Sequence, residues 1–202
     1  MKIALLIEGE TERVFLPHVR RFLETRLAGR MPRLDPVPYD GRIPKGERLR
    51  RVVERLLRTG RPPADAVIAL TDVYTGTRDF QDAGDAKRKM REWVGGNAQF
   101  FPHAAQHEFE AWLLPFWGTI QRLAGHSMGA PGGSPEAVNL TRPPSNRIEE
   151  IFRAGTCGRD YVKPRDAERI LRENDLAVAA AVCPELRAFL NTILQLCGGQ
   201  CM

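Results

Sequence analysis

Two stretches of this chain share one design. KIALLIE (2–8) and DAVIALTD (65–72) are nearly continuous apolar runs, and each ends in an acid. A strand without polar alternation must be buried on both faces. A mainly parallel sheet covered by helices on both sides supplies that burial. The intervening sequence agrees. Residues 11–28 set Leu16, Val19, Leu23 and Leu27 at helical spacing, and GERLRRVVERLLR (46–58) opposes an apolar stripe to a basic one. RLDPVPY (33–39) reads as an edge strand because its two prolines lack an N–H. A helix near 84–94 and a strand at AQFFPHAAQ (98–106) continue the alternation, and from His107 the pattern turns helical. The expected fold class is therefore α/β, a mainly parallel sheet flanked by helices. Residues 1–125 form the expected α/β core. A loop rich in Gly, Pro and Ser follows, then helices at 145–154, 165–174 and 184–196, so residues 126–202 read as a helical C-terminal part packed on that core.

Composition narrows the function classes. Hydrophobic residues make up 43% and charged residues 27% of the 202, which suits a globular domain. No stretch has the length of a membrane span. The start, MKIALLIEGE, lacks the apolar core of a signal peptide, so a cytoplasmic location is expected. In a reducing compartment Cys157, Cys183, Cys197 and Cys201 would be free thiols. CGGQC at the end has no zinc-ligand spacing. The net charge of +5 comes mostly from Arg and is compatible with a nucleic-acid partner.

The acids carry the chemistry. Open parallel sheets bind ligands outside the carboxyl ends of their strands. Glu8, Asp72 and the pair Glu108/Glu110 all fall at or just past such ends. If the strands are neighbours, these carboxylates converge, and converging carboxylates need a cation. Hard oxygen ligands suit Mg²⁺ or Mn²⁺, which can activate water against a phosphodiester. Glu8, Asp72 and Glu110 are the candidate catalytic residues and, with Glu108, the candidate metal ligands. Glu10, Glu12, Asp79, Asp82 and His107 form a second line; in a helix, His107 and Glu110 would share a face. Each also has a structural reading. A single acid after a strand is often a solvated turn or an N-cap, and a buried His is often a hydrogen-bonded core residue. Arg48, Arg51, Arg55, Arg147 and Lys163 are candidates for holding a nucleic-acid backbone, and equally for solvated helix faces. Trp112 and Trp117 read as core. GAPGGS lacks the Lys-Ser/Thr of a P-loop, and no nucleophile elbow is present.

IEGETE (7–12), TDVYTGTRDF (71–80), HEFEAWLL (107–114), PPSNRIEEIF (143–152) and YVKPRDAERIL (161–171) occur in an order that resembles a bacterial domain-of-unknown-function family, number 4276, with a Toprim-like core. That core is related to the OLD-type nucleases. The resemblance implies a Toprim-like, Rossmann-like fold and divalent-metal chemistry on DNA or RNA. Glu8 matches the catalytic Glu of the Toprim pattern, and Asp72 matches the first Asp of its Asp-x-Asp pair. Tyr74 stands where the second Asp belongs, so Asp79, Asp82, Asp85 or Glu110 would have to replace it. The resemblance also implies an anti-phage setting, an AAA or ABC-type ATPase partner and pairing of two copies. A metal-dependent nuclease is the leading expectation. A non-catalytic Toprim-like partner or regulator of such an ATPase is the alternative, and a phosphatase-like enzyme acting on a small nucleotide is a third.

Overall fold

The computed structural model of the chain describes residues 1–29, 31–39, 41–74, 79–137 and 142–202. Four strands, β1 (Lys2–Ile7), β2 (Arg33–Pro38), β3 (Ala66–Asp72) and β4 (Phe100–Ala105), form one sheet in the order β2-β1-β3-β4. Every pairing is parallel. Residues of one strand alternate between the two faces. Ile3, Leu5 and Ile7 of β1 and Ile68 and Leu70 of β3 join one apolar cluster, while Ala4, Leu6, Val67 and Ala69 join the other. This double burial is why both strands read as continuous apolar runs.

The second face is covered by α2 (Gly46–Arg58) and α3 (Ala83–Val94). The first is covered by α1 (Glu10–Glu24) together with the C-terminal helices α4 (Trp117–Ala124), α5 (Pro144–Ala154), α6 (Lys163–Arg172), α7 (Leu176–Val182) and α8 (Pro184–Leu196). Phe15, Phe109, Trp112 and Phe189 meet at ring-centroid distances of 5.3–6.2 Å in the middle of this larger cluster. Trp112 and Trp117 are thus core residues, as expected.

β2 lies at the edge, where its prolines are tolerated. Arg33 and Tyr39 donate their N–H groups to Met1 and Ile7, at 2.9 Å each. The odd-numbered positions of β2 therefore face β1, and Pro36 and Pro38 occupy the outward ones.

Two local expectations need correction. No helix begins at His107. Phe109–Trp112 and Leu114–Phe116 are short 3-10 turns, and α4 starts only at Trp117. His107 precedes them with φ of 72°, a left-handed conformation that breaks helical continuity. α7, LAVAAAV, is an additional helix; a run that is apolar all round shows no amphipathic period.

Candidate metal centre

β1 and β3 are neighbours, so their carboxyl ends lie side by side. Glu8, just past β1, turns its buried carboxylate onto the end of β3. The hydroxyl of Thr71 donates to its Oε1 at 2.5 Å, and the N–H of Asp72 donates to its Oε2 at 3.2 Å. The N–H of Ile43 adds a contact of 3.4 Å to Oε1. Glu8 is thus fixed directly beside Asp72. Burial raises its proton affinity, and Glu12 adds to that, while Thr71, Asp72 and Ile43 oppose it through their hydrogen bonds.

Glu12 lies in the first turn of α1, four residues after Glu8, and is buried. Its carboxylate curls back onto the free backbone N–H groups of that turn, its own and Gly9's, a place the helix dipole favours for an anion. Burial still raises its pKa.

Glu108 and Glu110 arrive from the segment after β4. Glu108 accepts the N–H of Ser145, in the first turn of α5, at 2.5 Å. Glu110 is 1% exposed. Burial pushes its pKa up to about 7, with Lys163 opposing the rise and Glu108 adding to it. The Lys163 ammonium stands between the two, 3.5 Å from Glu108 Oε2 and 3.2 Å from Glu110 Oε1. Burial alone would lower the Lys163 pKa; Glu110 and Glu108 reverse the sign and leave it raised. Tyr161 reaches Glu110 Oε1 at 3.5 Å, and burial with the nearby acids keeps its phenol protonated.

Asp72 sits at the centre. Its pKa is well above the ordinary aspartate value, first through burial, then through repulsion by Glu12, Glu8, Glu110 and Glu108 in that order. Four other carboxylates therefore act on one aspartate, with Lys163 as the cation bridging two of them.

The remaining candidates lie elsewhere. Glu10 is exposed and pairs with Arg13 at 3.4 Å. Asp79 bridges to Arg42 and Lys45, beside the outer flank of Glu8. Asp82 caps α3, accepting the Asp85 N–H at 2.7 Å. Both aspartates are engaged by these partners, while Glu12 and Glu110 are among the carboxylates that act on Asp72. His107 is 2% exposed, neither ring nitrogen has a hydrogen-bond partner among the described residues, and the ring lies 5.0 Å from that of Tyr74. Burial lowers its pKa, so the imidazole is neutral. Arg48, Arg51 and Arg55 are exposed along α2, with Arg51 paired to Glu47 at 3.3 Å. Thr71, Ser145 and Tyr161 are contacts that no sequence spacing announces, since each comes from a different element.

The donor set tests well against a divalent cation in its chemistry. It is all hard oxygen, and its carboxyl groups outnumber the one cation, Lys163, that bridges two of them. In its geometry it does not: among the described residues no group of three or more His, Cys, Asp or Glu is placed so that it could hold a metal ion. Glu8, Glu12, Glu108 and Glu110 turn oxygens to Thr71, Lys163 and backbone N–H groups instead.

Residues 7–194 match the family described as Domain of unknown function (DUF4276). The chain belongs to that family. The C-terminal region of the Burkholderia pseudomallei OLD protein has the same fold, with a TM-score of 0.53 at 15% identity, covering 96% of this chain and 98% of that one. The C-terminal region of the Xanthomonas campestris pv. campestris OLD protein aligns with a TM-score of 0.50 at 13% identity, covering 97% and 93%. No curated protein matches in sequence. The OLD-type, Toprim-like fold expected from the motifs is the fold observed. Among the described residues no helix is long and apolar enough to cross a membrane.

Proposed function

We propose that this protein is a divalent-metal-dependent phosphodiesterase acting on nucleic acid. The observation that carries the reading is Asp72, crowded by Glu8, Glu12, Glu108 and Glu110 at the carboxyl ends of three neighbouring strands. Such crowding opposes folding unless something positive relieves it, so the fold retains it for another reason. Likeness to the OLD C-terminal regions supports the reading at the level of fold.

Asp72, Glu8 and Glu12 would hold Mg²⁺ or Mn²⁺ on the β1–β3 side, and Glu108 and Glu110 on the β4 side. The bound ion supplies Lewis acidity and a water of lowered pKa. The chain's own groups do the rest. Thr71 and the Asp72 N–H fix Glu8 in one rotamer. Ser145 and Lys163 orient Glu108. Glu110, whose pKa burial raises to about 7 in the metal-free protein, would give up its proton on binding the ion. Lys163 supplies positive charge for the anionic substrate.

The test is cleavage of plasmid and single-stranded DNA with Mg²⁺ or Mn²⁺ by the wild type and by Glu8→Gln, Asp72→Asn and Glu110→Gln. Cleavage lost in all three variants supports the proposal; cleavage equal to wild type ends it. A second reading is favoured by Tyr74 at the second Asp position and by the spent carboxylates. In it the module is a non-catalytic partner of an AAA or ABC-type ATPase. It predicts no metal-induced gain in melting temperature.

A further inference from the structure

The segment between α4 and α5 is fixed at two points. The indole N–H of Trp117 and the side-chain amide of Gln121 both donate to the Met128 carbonyl, at 2.8 Å each. At the other end the buried Glu136 carboxylate accepts the Trp112 indole N–H at 2.8 Å and the Glu185 N–H at 3.0 Å, at the start of α8. Between these anchors three glycines leave open space beside the backbone. Gly129, Gly132 and Gly133 have nothing within 4 Å of the position a Cβ would take. The strap bounds two cavities, of about 220 and 280 Å³, which share Pro131, Gly132, Arg142 and Arg147 and so form one groove.

Arg147 projects into this groove from the first turn of α5. It is half-buried, and among the described residues its side chain has no hydrogen-bond or ion-pair partner. A half-desolvated guanidinium without a counter-ion is costly for stability and suited to an anion. The same helical turn reaches the acid cluster, through the Ser145 N–H on Glu108. Pro144, beside Ser145, lines the groove. The groove and the carboxylates therefore share a structural element, the first turn of α5.

We propose that this groove binds the phosphodiester backbone of a nucleic-acid strand, with Arg147 holding a phosphate next to the one presented to the acid cluster. The role as a substrate subsite rests on the phosphodiesterase reading; the binding itself does not. A guanidinium on a phosphate gives affinity and register without reading bases.

The experiment is fluorescence anisotropy of a labelled single-stranded DNA oligonucleotide across a salt series, in EDTA so that cleavage plays no part. The wild type is compared with Arg147→Gln, Arg147→Lys, Gly132→Glu and Asp72→Asn. Gly132→Glu places a negative charge on the open rim, where a side chain has room, and keeps Arg147 in place. Expected are about tenfold weaker binding by Arg147→Gln, with the salt slope reduced by about one, and a similar loss in Gly132→Glu. Arg147→Lys keeps the slope, and Asp72→Asn binds at least as tightly as wild type. Absence of binding by the wild type overturns the proposal. So does wild-type affinity in both Arg147→Gln and Gly132→Glu. Should the carboxylate variants leave cleavage intact, the phosphodiesterase reading fails while this binding result stands.

Discussion

Asp166 and Asp72 are two aspartates in opposite surroundings. Asp166, in the first turn of α6, is 0% exposed. It accepts the Val162 N–H at 2.8 Å and bridges to Arg159 at 2.6 Å and Arg165 at 3.1 Å. Burial raises its pKa, but these partners outweigh it and hold the carboxyl below the usual range. Its work is structural: it ties the start of α6, and hence Lys163, to the preceding turn. Asp72, at the end of β3, has carboxylates where Asp166 has guanidiniums. The chain therefore has the means to neutralise a buried acid and does not apply them at the sheet's carboxyl end. An acid repelled in one place and neutralised in another is the pattern that the proposed metal site predicts.

The largest effect expected is on activity. Asp72→Asn should lower metal-dependent cleavage at least 100-fold, on the order of what loss of a metal ligand or general base costs, while the metal-free protein melts several degrees higher because a repelling charge is gone. Asp166→Asn should do the reverse to stability, costing about 2 kcal/mol as the buried carboxylate gives up its bonds to two partly exposed guanidiniums. Thermal melts of both variants without metal check the contrast; if both shift in the same direction, the comparison fails.

pH sharpens it next. Glu110, Glu8, Glu12 and Asp72 all have raised folded-state pKa values. A raised pKa means that the folded state binds protons more tightly than the unfolded one. The stability these groups contribute is complete below their unfolded values, about 4, and is lost as pH rises through the folded ones, near 7 for Glu110. The metal-free protein should therefore melt progressively lower from pH 5 to pH 7.5. Glu110→Gln should flatten the slope, and Mn²⁺ at millimolar concentration should recover the loss. Asp166 has a lowered value, so its contribution is full across this window and lost only in stronger acid.

Thr71→Val comes third. Removing the hydroxyl that donates to Glu8 should cost roughly 1.5–3 kcal/mol of stability at neutral pH, as expected for a hydrogen bond to a charged group, and should weaken Mn²⁺ binding measured by calorimetry. Arg51→Ala is the smallest. Its pair with Glu47 is solvent-exposed, and the change in stability should stay within about 0.5 kcal/mol.

Much of this was legible in the sequence for a plain reason. Strands buried on both faces leave a continuous apolar signature, and the first polar residue after each marks the ligand-binding end of the sheet. Glu8 and Asp72 announce themselves in that way. Glu12 was harder to separate from Glu10, because both follow Gly9 in one acidic run; only the helix that begins at Glu10 turns one inward and the other to solvent. Asp79 and Asp82 are the first two acids after Asp72 in the sequence, but one is drawn off by Arg42 and Lys45 and the other by the start of α3. Lys163 stands 53 positions from Glu110, and no local pattern predicts their contact. The segment after His107 misled because its spacing is helical on average, while a left-handed residue and two 3-10 turns divide it.

The prolines of β2 have a consequence for how these molecules meet one another. Because the even-numbered positions face outward, Pro36 and Pro38 remove two successive donors from the free border of the sheet. An incoming extended segment would find carbonyls there and no matching N–H ladder. Two copies that pair in solution should therefore do so through helices or loops, and the open margin beside β2 is guarded against the runaway stacking that bare strand edges invite.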